Sequence, residues 1–302
     1  MMADDQETFS TDHQVRLFLW SVPRSLSTVL TKCLSFVENS QIFFEPYFCA
    51  YLLGPERFMP EDWDTKDEER MANFERDALA VTSVNGGFEV SQCTYQWVKE
   101  RLEEAHAGKT FIFCKDIASA IPNDKLKFLP RGYRHVFLIR HPLKVFPSLK
   151  KMLQLTNNAP PDGFQLEDPK RFPTSPIFKD LAMLIDQLKE HEREPIIIDA
   201  DDLLRDPRGI LSALFMAVGL PFEEKLLRWE AGDAVAQEWV ISNTQWKGNQ
   251  IANYYKNALD STCFQKPSPL PDRASLSADI LRCVDVSMPY YEKMYAQRLK
   301  PT

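Results

Sequence analysis

Short apolar runs recur along the chain, each separated from the next by stretches whose apolar residues fall three and four apart. Arg16 to Val22, Thr110 to Cys114, His135 to Ile139 and Pro195 to Ile198 are rich in Val, Ile, Leu and Phe. Their shortness and near-continuous apolar character predict strands buried on both faces. Helical periodicity marks Ser27 to Phe36, Glu68 to Thr82, Tyr95 to Ala107, Leu143 to Leu153, Ile177 to His191, Pro207 to Val218 and Ala274 to Gln297. This alternation predicts an α/β fold of three layers, a central parallel sheet flanked by helices on both faces.

Two stretches break the rhythm. Residues 154–176 gather Pro160, Pro161, Pro169, Pro173 and Pro176 among Asn and Asp, and read as a long loop over the site or as a linker. Residues 232–271 carry Trp239, Trp246, Tyr254 and Tyr255 with few helix-compatible runs, and read as a second irregular segment. Its aromatics either cover a ligand or pack on the core. Residues 1–15 are polar and read as a flexible tail, which leaves 16–302 as a single domain.

Composition narrows the field of functions. A chain of 302 residues with 44% hydrophobic content can bury a substantial core, and its formal charge of -7 argues against a nucleic-acid binder. No run approaches the roughly 20 apolar residues of a membrane span, and the N-terminus lacks the apolar core of a secretory signal. A cytoplasmic protein that works on a small molecule is expected, and a homodimer is compatible with it. The six cysteines show no C-x-x-C pair and no metal-like spacing to His, so no metal is expected and packing is their main role.

The first apolar run leads directly into Pro23-Arg24-Ser25-Leu26-Ser27-Thr28 and a helix. A helix N-terminus offers unpaired N–H groups and partial positive charge, so this turn can hold a phosphate. Ser and Thr also cap helices anywhere, but a cap needs one hydroxyl and this turn has three, beside an Arg. A second such turn follows the strand His135 to Ile139: Arg140, then His141-Pro142 opening a helix, with Ser148 on its second turn. An Arg at the carboxyl end of a strand faces the crevice where open α/β sheets bind ligands. Two strand-to-helix anion sites in one sheet suit a ligand with phosphates at two positions.

These residues resemble the nucleotide signatures of sulfotransferases that use 3'-phosphoadenosine 5'-phosphosulfate (PAPS). The resemblance continues through Asp201-Asp202-Leu203-Leu204-Arg205-Asp206-Pro207 and Val218-Gly219-Leu220-Pro221-Phe222, and covers most of residues 16–230. It implies a P-loop-like fold, PAPS as sulfate donor, its bisphosphate (PAP) as product, and a small soluble acceptor. The first loop, Arg24 to Thr28, would hold the 5'-phosphosulfate; Arg140 and Ser148 would hold the 3'-phosphate. Many members have Gly where this chain has Leu26. The family's glycine-rich C-terminal motif has only a weak counterpart around Trp246 and Lys247. A P-loop kinase or ATPase would need G-x-x-x-x-G-K-[ST], and the loop has neither the glycines nor the Lys. A nucleotide-dependent kinase and a non-catalytic nucleotide-binding protein are the alternatives.

Sulfuryl transfer builds charge on the departing phosphate oxygen, which cations stabilise. The resemblance places Arg24 and Lys115 there. A hydroxyl acceptor also needs a base. In the cytosolic phenol and steroid branch a His follows the matching Lys, but here Asp116 and Ile117 follow Lys115. Other branches, acting on sugars and similar acceptors, use a Glu after the first helix, and Phe43-Phe44-Glu45-Pro46-Tyr47 supplies one. Glu45 is the first candidate base and Asp116 the second. Phe43, Phe44, Tyr47, Phe48 and Tyr51 suggest an apolar wall beside the acceptor, although a core segment would look the same.

Overall fold

Leu17, Phe18, Leu19 and Trp20 are all buried, Leu17 and Leu19 toward one face and Phe18 and Trp20 toward the other. Strand β1 (Val15–Ser21) is therefore covered on both sides, as its unbroken apolar run requires. In the computed structural model, residues 14–61, 84–156, 163–167, 176–189 and 194–301 are described, with scattered positions between 64 and 76. The expected tail over 1–13, most of the helix over 68–82 and most of the loop over 154–176 lie outside the described residues.

Five more strands join β1: β2 (Ser40–Phe44), β3 (Phe111–Ile117), β4 (Arg134–Ile139), β5 (Ile196–Asp199) and β6 (Val240–Ile241). All pair in parallel, in the order β5-β4-β1-β3-β2-β6. On one face lie α2 (Pro46–Leu52), α3 (Tyr95–Glu103), α4 (Pro142–Thr156), α5 (Ile177–Lys189) and α10 (Ala278–Ala296). On the other lie α1 (Ser27–Leu34), α6 (Ala200–Arg205), α7 (Pro207–Val218), α8 (Asn243–Ala252) and α9 (Lys256–Leu259). This is the expected three-layer α/β architecture. Among the described residues no helix is long and apolar enough to cross a membrane.

Register sets up the site. Ser21 of β1 pairs with Ile117 of β3 and with Leu138 of β4, while Phe44 of β2 pairs with Lys115. The carboxyl ends of four strands thus finish near one level, and the loops after β1, β2 and β4 emerge side by side. The crevice of an open parallel sheet lies at these ends.

Two expectations are corrected. Residues 232–271 are not irregular, because β6, α8 and α9 all fall within them. Val240–Ile241 is too short to show a period, and its partner β2 opens with Ser40 and Gln41, so neither strand announced itself. Phe43, Phe44 and Tyr47 do not form an acceptor wall; they are core, with Phe44 stacked on Trp239 at a ring separation of 4.9 Å.

Candidate active site

The turn from β1 to α1 is built by two non-glycine residues in the left-handed region, Arg24 (φ 64°) and Leu26 (φ 71°). Leu26 is the N-cap of α1, yet no side chain caps the helix. Ser25 is buried and its Oγ donates to the Val22 carbonyl at 2.8 Å, closing the turn upon itself. The hydroxyls therefore do not serve as a helix cap. The helix start is left open toward a cleft of about 450 Å³, whose walls include Leu26, Ser27 and Thr28.

The second motif forms the opposite wall. Arg140 follows β4, and α4 presents Lys144, Pro147 and Ser148 to the cleft. Arg24 Nε donates to Ser148 Oγ at 3.0 Å, and Arg140 Nη1 donates to the Arg24 carbonyl at 3.0 Å, so the two motifs are joined directly. Arg24 Nη1 also reaches the Tyr254 carbonyl at 3.3 Å. Burial pulls both guanidinium pKa values below the ordinary range; Tyr255 and Glu45 oppose this at Arg24, and Asp201 opposes it at Arg140. Guanidinium groups remain charged regardless, so the cleft keeps its positive potential.

Glu45 lies just beyond β2, at φ 56°, as the N-cap of α2. Its N–H donates to the Lys115 carbonyl at 2.7 Å. The residue is 5% exposed and both carboxylate oxygens have partners: Lys115 Nζ meets Oε1, while the Gln245 amide nitrogen and the Tyr255 hydroxyl, the latter at 3.3 Å, donate to Oε2. Gln245 also donates to the Tyr255 hydroxyl at 2.9 Å, and its own Oε1 is buried without a partner. Lys115 Nζ stands 5.0 Å from the centre of the Phe44 ring, which meets the Tyr255 ring edge-on at 5.1 Å. Burial holds the Tyr255 phenol well above its usual pKa, so it remains a donor.

The structure thus brings Arg24, Arg140 and Ser148 into one cleft, and sets Glu45 and Lys115 in a buried pair close enough for the Glu45 charge to act on Arg24. It does not bring Asp116 there. Alternation along β3 turns Asp116 to the face opposite Lys115, where it accepts from the N–H groups of Tyr47 (2.6 Å), Phe48 (3.0 Å) and Ile117 (2.8 Å). Asp116 is the anchor of α2, and as a base it is set aside. Trp246 and Lys247 also miss the cleft: both lie on α8, Trp246 within the core and Lys247 half-buried.

Sequence reasoning passed over Gln245 and Lys144, and named Tyr254 and Tyr255 without deciding between ligand cover and packing.

The family model described as Sulfotransferase domain matches residues 178–298. That stretch, less than half of the chain, is similar to a sulfotransferase domain. The matched stretch begins after both anion motifs. Branched-chain-amino-acid aminotransferase-like proteins 1 and 2 of Arabidopsis thaliana are each 26% identical to it, over 281 and 260 residues. Those alignments take in 90% and 83% of this chain but 40% and 36% of the relatives, so the chain spans about two fifths of their length. Among solved structures, the sulfotransferase domain from the curacin biosynthetic pathway is 18% identical, with 95% of this chain and 99% of that one covered and a TM-score of 0.47. Retinol dehydratase in complex with androsterone and inactive cofactor PAP is 11% identical over 97% and 84% of the two chains, at a TM-score of 0.46.

Proposed function

We propose that this protein is a sulfotransferase that moves a sulfuryl group from PAPS to a hydroxyl or amine of a small soluble acceptor and releases PAP. The observation that carries the reading is the joined pair of anion motifs, Arg24 bonded to Ser148 and Arg140 bonded to the Arg24 carbonyl, around a cleft of nucleotide size. The uncapped start of α1 and the buried, unpartnered Nε of Arg140 fit a ligand with two anionic groups.

PAPS supplies an activated sulfuryl group whose S–O bond to phosphate breaks as the new bond to the acceptor forms. The electron pair of the broken bond stays on the phosphate oxygen, and Arg24 is the cation placed to stabilise it. Lys115 is a second cation, released for that task when Glu45 takes up a proton. Glu45 receives the proton of the acceptor at Oε1: Lys115 occupies one lone pair of that oxygen and leaves the other, while both donors from α8 and Tyr255 sit on Oε2. Holding the carboxylate from one side keeps its free lone pair in one direction.

Thermal shift separates the donors. PAP should raise the melting temperature, and stabilisation by ATP with Mg²⁺ alone would point to a kinase instead. Labelled sulfate should then pass from PAPS into some acceptor of a metabolite pool and fail to do so with Glu45→Gln, whose retained response to PAP shows that it is folded. Nucleotide binding without transfer to any acceptor would make the protein a binding module.

A further inference from the structure

Lys144 belongs to neither motif as the sequence presents them, yet it lies on the cleft wall between Arg140 and Ser148. It sits on the first turn of α4, and Lys144, Pro147 and Ser148 share one helical face at spacings of three and four. Its Nζ is 2.5 Å from Asp201 Oδ2 and also donates to the carbonyl of Ser268, another wall residue. An ammonium has three hydrogens, so two bonds leave one free to donate. Arg24 and Arg140 bond only neutral acceptors, whereas Lys144 is tied to a carboxylate. Asp201 retains a buried Oδ1 with no partner, and Arg140 a buried Nε with none. The end of the cleft between α4 and Ser268 therefore holds unspent donors from two cations.

We propose that Lys144 is a third anion-binding residue of the cleft, acting with Arg140 and Ser148 on the ligand phosphate remote from the reacting group, and that Asp201 is its positioning residue. The proposal rests on the nucleotide reading above. Asp201 neutralises the ammonium while the cleft is empty and aims it, so a phosphate gains a charge-assisted bond without a search through lysine rotamers.

The test is calorimetric binding of adenosine 3',5'-bisphosphate and of AMP, which lacks the remote phosphate, to the whole chain. Lys144→Met should weaken the bisphosphate by about tenfold to a hundredfold, the range of a lost charge-assisted hydrogen bond, and leave AMP within about twofold. Lys144→Arg should retain most of the preference for bisphosphate over AMP. Because Lys144→Met strands a buried carboxylate, the double variant Lys144→Met with Asp201→Asn provides a folded control, and it should show the same loss of preference. An equal loss for both nucleotides, or none for either, overturns the assignment and leaves Lys144 as a fastener of the Ser268 segment. Failure of the unaltered protein to bind either nucleotide overturns the donor reading itself, and the assignment with it.

Discussion

Tyr254 and Tyr255 hold opposite charges: the carbonyl of Tyr254 accepts from Arg24, and the hydroxyl of Tyr255 donates to Glu45. The cation and the carboxylate lie 21 residues apart in sequence, yet their supports come from two adjacent residues. That pair is itself clamped, since the Tyr255 N–H donates to Asn249 Oδ1 at 2.8 Å and Asn253 ends α8 in the left-handed conformation.

Tyr255→Phe should leave PAP affinity within about twofold while sulfate transfer falls by about tenfold or more, because the hydroxyl's bonds to Glu45 and Gln245 are lost while the Tyr254 carbonyl that holds Arg24 stays. Asn249→Ala should lower both, as it loosens the turn that also holds Arg24. Calorimetry and transfer of labelled sulfate read the two effects separately, and equal effects from the two variants would remove the distinction.

Arg24→Lys keeps the charge but loses the planar fork that reaches Ser148 and the Tyr254 carbonyl together. PAP affinity should drop by about tenfold, one charge-assisted bond being worth roughly that much. Full affinity in this variant would show that charge alone suffices.

Asp116 gives the fold a pH dependence. Burial pushes its carboxyl from 3.8 up to about 8, outweighing the three N–H donors that favour the charged form. The native state then holds a proton that the unfolded chain has lost, so stability falls as pH rises from about 4 to about 8 and levels off above. The slope is at most about 1.4 kcal/mol per pH unit. Denaturant midpoints between pH 6 and pH 9 should show the decline, and Asp116→Asn should flatten it.

Leu26 adopts a backbone conformation that favours glycine. Leu26→Gly relieves about 1 kcal/mol of strain but frees the unfolded chain by a similar amount, so the melting temperature should barely move. Leu26→Val should destabilise by about 2 kcal/mol or more, since a β-branched residue tolerates positive φ poorly. Melting curves of both variants check this, and a stable Leu26→Val would refute the assigned turn geometry.

The parallel sheet was legible because β1, β3, β4 and β5 are continuous apolar runs, and β1, β4 and β5 lead into helical segments. Strand β2 was not, since its half-polar opening hides it, and β6 has only two residues to show. The cleft was legible at Arg24, Arg140 and Ser148, which sit at fixed offsets from recognisable strands. Glu45 and Lys115 could be named but not paired, because the register that joins β2 to β3 leaves no trace in local sequence. Asp116 and Lys115 are neighbours in the chain, and only the alternation of a strand assigns them opposite duties. Gln245 and Lys144 were invisible, since a lone amide or lysine on a helix carries no periodic or spacing signal.

The two-residue strand β6 has a consequence for how the chain is made. It closes the outer edge of β2, the strand that delivers Glu45, yet it emerges from the ribosome some two hundred residues later. Until residue 241 is synthesised, the nascent polypeptide exposes an unpaired β2 edge and lacks Gln245 and Tyr255. An open strand edge invites pairing with other chains, so this interval is when chaperones matter most.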